Sequence, residues 1–307
     1  MTETKHTSPK KRWIIAPLIP NDIKHALRDY PPLLRQLLFN RGITTAEVAH
    51  AYLGTESPTS TDPFLMLGMR EAVAVIEQAL QADENITIYG DYDTDGVTAS
   101  SLLFEFFNQL RHEPRVYIPN RFDEGYGLNL DAVELLAAEG TQLLITVDCG
   151  IRSLQEVQRA KELGMRVIVT DHHQPGDQLP QADAVINPHQ PADPYPYKEL
   201  AGVGLAYKLA EAWLQTHPDP EVDLNQWLDL VAIGTVVDVA PLTGENRSLV
   251  KRGLAQMRQP KRQGLFSLAQ VASINPAKFN AGHLGFVIGP RLNAAGRIES
   301  ALDAFRL

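Results

Sequence analysis

From Glu71 onward, apolar positions alternate between two spacings along the chain. Short unbroken runs such as ITIY at 86–89 and LLITV at 143–147 fit strands buried on both faces. Between them, apolar residues recur every three or four positions, and Leu102, Leu103, Phe106, Phe107 and Leu110 fall on one face of a helix. Arg115–Pro119 reads as a second strand. The clearest unit comprises a strand over Leu143–Val147, a capping box Ser153-x-x-Glu156, a helix turning Leu154, Val157 and Ala160 inward, Gly164 as its stop, and a strand over Val167–Thr170. Such βαβ alternation predicts an α/β fold, a doubly wound, mostly parallel sheet with helices on both faces. Ligands of these sheets gather at the carboxyl ends of the strands.

Residues 1–60 read as a short helical leader. Within it PPLLRQLLFNRG stops at Gly42, and Thr44-x-x-Glu47 is a capping box opening AEVAHAYL. TESPTSTDP, 55–63, reads as a linker. The α/β domain is expected over 61–245 and a basic helical extension over 246–307, leading to a second domain absent from this chain.

Composition narrows the class. Of 307 residues, 44% are hydrophobic and 21% charged, which excludes a disordered, collagenous or coiled-coil chain. The single cysteine, Cys149, allows no internal disulfide and fits a reducing compartment. No run approaches the roughly 18 apolar residues of a membrane span, and Pro17 and Pro20 interrupt the short apolar patch after the basic N-terminus, so a cytoplasmic protein is expected. The net charge of −9 conceals an asymmetry: Arg247 to Arg297 holds nine Lys and Arg and no acid, so the remainder must carry −18. A basic surface beside an acidic body suits a polyanion held next to bound cations.

Three acidic motifs begin where strands end: Asp91-Tyr92-Asp93-Thr94-Asp95-Gly96, Asp148-Cys149-Gly150 and Asp171-His172-His173. A fourth, Gly234-Thr-Val-Val-Asp238-Val-Ala-Pro241, closes a long apolar helix. Six carboxylates and two imidazoles in one cleft call for neutralising cations, and an oxygen-rich set suits Mn²⁺ or Mg²⁺ better than zinc. Asp-x-Asp-x-Asp-Gly could open a calcium loop, but Leu102 stands where the bidentate Glu belongs and a strand precedes it. Asp93-x-Asp95 also resembles the nucleophile motif of haloacid-dehalogenase phosphatases, which leaves Asp171-His172-His173 unexplained.

The motifs DYDTDG, VDCG, DHH and GTVVDVAPL, in this order, resemble the DHH phosphoesterase superfamily. LLRQLLFNRGI, DPFLMLGM, PNRFDEGYGLN, LAGVGLAYKL and GPRLNAAGRI resemble the RecJ family of bacterial single-strand-specific exonucleases within it. The resemblance runs from about Pro32 to Arg297. It implies hydrolysis of phosphodiesters in single-stranded DNA, 5′ to 3′, with two divalent ions (Mn²⁺ or Mg²⁺) per chain, in DNA repair and recombination. A single-strand-binding protein or a helicase is the partner it implies. Asp93 and Asp148 would hold one ion and Asp95, Asp148, His172 and Asp238 the other, Asp148 bridging, with Asp91 a further candidate ligand of the first. Asp171 would orient from behind. His173 would face the scissile phosphate or protonate the leaving oxygen, unless it merely packs beside the site. Arg121, Arg291 and Arg297 are candidate phosphate clamps, with Asn293 assisting. Tyr126 or Phe122 would stack a base, a core role being equally open. Gly202 and Gly204 fit either a phosphate cradle or close helix packing. Two other readings stay open: cleavage of short oligonucleotides or cyclic dinucleotides, and an inactive nucleic-acid-binding fragment.

Overall fold

The computed structural model describes residues 12–54, 61–298 and 300–307, in two compact units, Met1–Glu56 and Ser57–Leu307. In the first, helices α1 (Asn21–Ala26), α2 (Pro32–Phe39) and α3 (Ala46–Leu53) close over Ile19, Leu27, Leu38, Ile43 and Ala49. Pro32 opens α2, where its missing N–H has no intrahelical partner to lose. The capping box expected at Thr44 is displaced by one residue. Thr45 caps α3, its hydroxyl accepting the Val48 N–H at 3.3 Å, which places Glu47 at the second helical position instead of the third that a capping box requires.

The second unit is built on five parallel strands, β1 (Ile86–Gly90), β2 (Arg115–Tyr117), β3 (Leu143–Val147), β4 (Arg166–Thr170) and β5 (Ala184–Ile186), in the order β2-β1-β3-β4-β5. Alternate side chains enter opposite cores, as the pleat requires. Ile86, Ile88, Leu143, Ile145 and Ile168 meet α4 (Met69–Gln81), α5 (Thr94–Gln109), α8 (Gly202–Thr216) and α9 (Leu228–Val237). Tyr89, Leu144, Val167 and Val169 meet α6 (Leu130–Ala138) and α7 (Leu154–Glu162). The winding direction reverses between β1 and β3, and that crevice is where such sheets hold ligands.

Three local expectations need correction. Strand β2 ends at Tyr117, short of Pro119, which has no N–H to give the ladder. Ser153 makes no capping bond, since its ψ of 64° departs from the extended backbone that aims a cap hydroxyl at the first turn. The linker 55–63 lies outside the described residues as far as 60, and Asp62 then caps a 3₁₀ turn, Pro63–Leu65.

Beyond β5 the chain is helical: α10 (Gly244–Met257), α11 (Gln263–Val271), α12 (Ala281–His283), a π-helical turn at Leu284–Ile288, α13 (Gly289–Ile298) and α14 (Ala301–Arg306). Their core joins α9 through Ala232, Ile233, Val250, Leu284 and Ile288. Among the described residues no helix is long and apolar enough to cross a membrane.

Helix α10 crosses α9 at Gly253, where a Cβ would collide with the Leu228 carbonyl and lie 2.6 Å from Ala232 Cβ. Alanine normally favours a helix interior over glycine by about 1 kcal/mol. Here Gly253→Ala is expected to destabilise the protein by about 2 kcal/mol, because backbone must move to admit the methyl. A urea midpoint at or above that of the parent would refute this close approach.

Candidate functional site

Each acidic motif sits on a turn leaving the carboxyl edge of the sheet: Asp91 follows β1, Asp148 follows β3, and Asp171, His172 and His173 follow β4. Asp238 reaches the same place as the C-cap of α9. The ligand atoms fall into three groups whose members lie within 4.8 Å of one another: Asp91, Asp93 and Asp148; Asp95, His172 and Asp238; and Asp148, His172 and His173. His172 Nε2 stands 3.0 Å from Asp148 Oδ1, 3.8 Å from Asp95 Oδ2 and 3.9 Å from Asp238 Oδ2. Asp148 and His172 thus belong to more than one group.

Backbone donors immobilise some of these carboxylates. Asp93 caps α5, its Oδ1 accepting the N–H groups of Asp95 (2.8 Å) and Gly96 (3.0 Å). Asp95 accepts from Gly202 N at 2.6 Å and Val203 N at 3.0 Å, and so occupies the N-terminus of α8. Of the two alternatives for Gly202 and Gly204 this disfavours the phosphate cradle, because a carboxylate of the chain already fills that helix end. Gly202 serves close packing, since a Cβ there would lie 2.7 Å from Asp148 Cβ. Gly234 does the same: a Cβ would lie 2.6 Å from Asp95 Oδ1. Asp171 Oδ2 accepts Ile151 N (2.9 Å), while its Oδ1 accepts His173 N (3.0 Å) and meets His173 Nδ1 at 2.8 Å. By contrast Asp91 Oδ1, Asp148 Oδ1 and His172 Nε2 are buried without a hydrogen bond. Asp148 Oδ1 and His172 Nε2, 3.0 Å apart, lack hydrogen-bond geometry to each other, and ligand atoms left buried and unsatisfied in groups this tight fit bound cations, since burying such atoms unpaired is costly.

Electrostatics leads the same way. Burial, then the charge of Asp93, pushes the Asp91 carboxyl up to about 7, and the same causes take Asp238 to about 6. Asp95 and Asp148 are raised well above the ordinary carboxylate range, first by burial and then by Asp238 and Asp95 respectively. Burial, then the neighbouring His173, lowers His172 to about 4, leaving a neutral imidazole with a free lone pair. Burial alone would raise Asp171, but the hydrogen bonds from His173 and Ile151 outweigh it and hold the carboxyl below its usual range. The same bond raises His173.

Beside the carboxylates opens a cavity of about 290 Å³ lined by Asp91, Asp93, Arg121, Tyr126, Asn293 and Arg297, among others. The Arg121 guanidinium lies 4.9 Å above the Tyr92 ring. Asn293 Oδ1 accepts both Thr94 N (2.8 Å) and Thr94 Oγ1 (2.7 Å), tying α13 to the turn that carries Asp93 and Asp95. Asn293 Oδ1 thus braces the scaffold, a role its sequence context did not signal, while the residue lines the cavity as well. Arg291 is exposed, donates to Val287 O at 2.8 Å and does not line the cavity. Phe122 is 71% exposed and outside the lining too. The basic tract is not one surface, because Arg262 is consumed by ion pairs with Glu105 and the buried Asp229.

Residues 85–235 match the DHH family, N-terminal domain. The chain is 46% identical over 276 residues to the single-stranded-DNA-specific exonuclease RecJ of Bacillus subtilis, covering 90% of this chain and 34% of that protein. It is 40% identical over 282 residues to the protein of the same name from Escherichia coli, covering 88% and 48%. The crystal structure of RecJ in complex with Mn²⁺ from Thermus thermophilus superposes with a TM-score of 0.78 at 32% identity, over 96% of this chain and 42% of that one. A crystal structure of exonuclease RecJ bound to manganese gives 0.71 at 38% identity, over 78% and 60%. The chain spans about a third to a half of the length of these curated relatives. With the acidic motifs gathered at the edge of a doubly wound sheet and these relatives aligned across it, residues 85–235 of the chain are a DHH family N-terminal domain, with RecJ proteins among the chain's relatives.

Proposed function

We propose that this chain carries the catalytic centre of a metal-dependent exonuclease that hydrolyses phosphodiesters of single-stranded DNA, 5′ to 3′, in repair and recombination in the cytoplasm. The observation that carries the reading is the gathering of Asp91, Asp93 and Asp148, and of Asp95, His172 and Asp238, into two sets of ligand atoms that lie within 4.8 Å of one another. In this reading residues 1–60 are a leader, 61–245 the DHH domain and 246–307 its basic extension, and a single-strand-binding protein or helicase delivers the strand. Asp93, Asp148 and Asp91 hold one Mn²⁺ or Mg²⁺, and Asp95, Asp148, His172 and Asp238 the second. Bound there, two such ions neutralise the carboxylates and polarise the phosphodiester oxygens. The residues of the chain do the rest. Arg121 and Arg297, lining the cavity beside Asp93, grip phosphate. Asp171 fixes His173 through Nδ1, leaving Nε2 to hold a proton for the departing oxygen.

Asp148→Ala is expected to reduce Mn²⁺ stoichiometry below that of His172→Ala, and to abolish degradation of a 5′-labelled single strand. Two ions and normal cleavage in Asp148→Ala would refute the bridging assignment. Calorimetric titration gives the stoichiometry directly.

Nucleic-acid affinity is expected to fall with salt through counterion release. Arg121→Ala and Arg297→Ala should each flatten the slope of log K against log [salt] by about one. Unchanged slopes and affinities would remove both arginines from phosphate binding.

The raised carboxyls make metal-free stability depend on pH. Asp91 and Asp238 take up protons in the folded state that the unfolded chain has already shed, so their contribution is full below the ordinary carboxylate range and is lost as pH rises through about 6 and 7. His172, neutral in the fold down to about 4, opposes this only below its unfolded value. The Tm of the metal-free protein is thus expected to fall from pH 6 to pH 8. Saturating Mn²⁺, which binds the ionised forms, should abolish or reverse the trend. Parallel pH dependences with and without metal would refute it.

A further inference from the structure

Tyr126 touches the most strained ligand of the site. Gly125 and Gly127 flank it at φ of +81° and +78°, and a Cβ on either would meet nothing within 4 Å, so they are needed for backbone direction and not for space. The turn they make lays the Tyr126 phenol over the carboxyl edge of the sheet. Its hydroxyl donates to the main-chain oxygen of Asp148 at 3.3 Å. It also lies 3.3 and 3.4 Å from the two ring nitrogens of His173, with the rings edge to face at 5.8 Å. Near-equal distances to both nitrogens place the hydroxyl against the ring and not in line with one lone pair, and Nδ1 is already taken by Asp171. The directed partner is therefore the Asp148 carbonyl.

That carbonyl belongs to a residue at φ +61°, outside the range a side chain favours, and such a conformation persists only where its surroundings hold it. Two other bonds fasten the turn: Thr146 Oγ1 to Cys149 O (2.8 Å) and Ile151 N to Asp171 Oδ2 (2.9 Å). Both are buried, whereas Tyr126 is 55% exposed and lines the cavity beside Asp93 as well as a second one behind His173.

We propose that Tyr126 is a positioning residue of the two-ion centre: its hydroxyl fixes the strained Asp148 turn, and with it the placing of the shared carboxylate, while its ring braces His173. This deepens the metal-dependent reading above and rests on it. Base stacking needs only the ring, and positioning needs the hydroxyl, so Tyr126→Phe separates the two.

The test compares the parent chain, Tyr126→Phe, Tyr126→Ala and Asp148→Ala, each titrated with Mn²⁺ by calorimetry and followed by electron paramagnetic resonance for coupling between paired ions. Steady-state cleavage of a short single strand is measured alongside. Tyr126→Phe is expected to weaken Mn²⁺ binding and lower kcat by about two- to tenfold each, the range one hydrogen bond controls, with KM unchanged and the paired-ion signal altered. Tyr126→Ala should add a further loss through His173. Parental Mn²⁺ affinity, spectrum and kcat in Tyr126→Phe would overturn the proposal, and so would a defect confined to KM and to Tyr126→Ala. Parental Mn²⁺ binding in Asp148→Ala would instead overturn the metal reading of that carboxylate, and this proposal with it.

Discussion

Five aspartates, Asp91, Asp93, Asp95, Asp148 and Asp171, leave the ends of three adjacent strands, and Asp238 joins them from a helix end, with Asp91, Asp95, Asp148 and Asp171 buried. Like charges so placed repel one another strongly because little solvent screens them. The surrounding structure can be understood as the means of holding them there. Its first device is backbone hydrogen bonding: the start of α5 serves Asp93, the start of α8 serves Asp95, and the turn at Ile151 serves Asp171. These aspartates are oriented by groups that cannot rotate away. Asp91, Asp148 and His172 each keep a buried side-chain atom that no such donor satisfies.

Glycine is the second device. Carboxylates this close need backbone where a side chain would stand, and Gly202 against Asp148 and Gly234 against Asp95 supply it. The helices α8 and α9 can therefore lean directly on the charged turns, which both shields them from water and gives Asp95 its two donors. A methyl group at Gly202 would press on Asp148 alone, and one at Gly234 would press on Asp95 together with Thr98 and the core residue Val203.

Much of this was legible in the sequence, for physical reasons that can be named. Strands β1, β3 and β4 are buried on both faces, so their unbroken apolar runs mark them, and the acidic residue following each run marks the functional edge. Strand β5 escaped because three residues, Ala184–Ile186, are too few to establish any period. The misplaced cap at Thr44 shows the limit of a pattern that tolerates a shift of one residue when two threonines are adjacent. The glycines of α8 were ambiguous for a deeper reason: a helix N-terminus attracts any anion, and the sequence does not say that Asp95, 107 residues away, is the anion it holds. Arg262 shows the same blindness to distance, its charge being cancelled by Glu105 and Asp229 from two other helices.

The helical region after α9 has more to do with the site than its sequence distance suggests. Asn293 on α13 holds Thr94, between Asp93 and Asp95, through both backbone and hydroxyl. On the same helix Gly289 packs against Val237, the residue before Asp238, where a Cβ would lie 2.7 Å from its Cγ1. One helix thus braces two of the turns that bear carboxylates and presents Arg297 to the cavity beside Asp91 and Asp93. Shifting α13 would move the arginine and both turns together, because the same few residues bind all three. The place of the Arg297 guanidinium and the geometry of the carboxylate turns are therefore mechanically joined through α13.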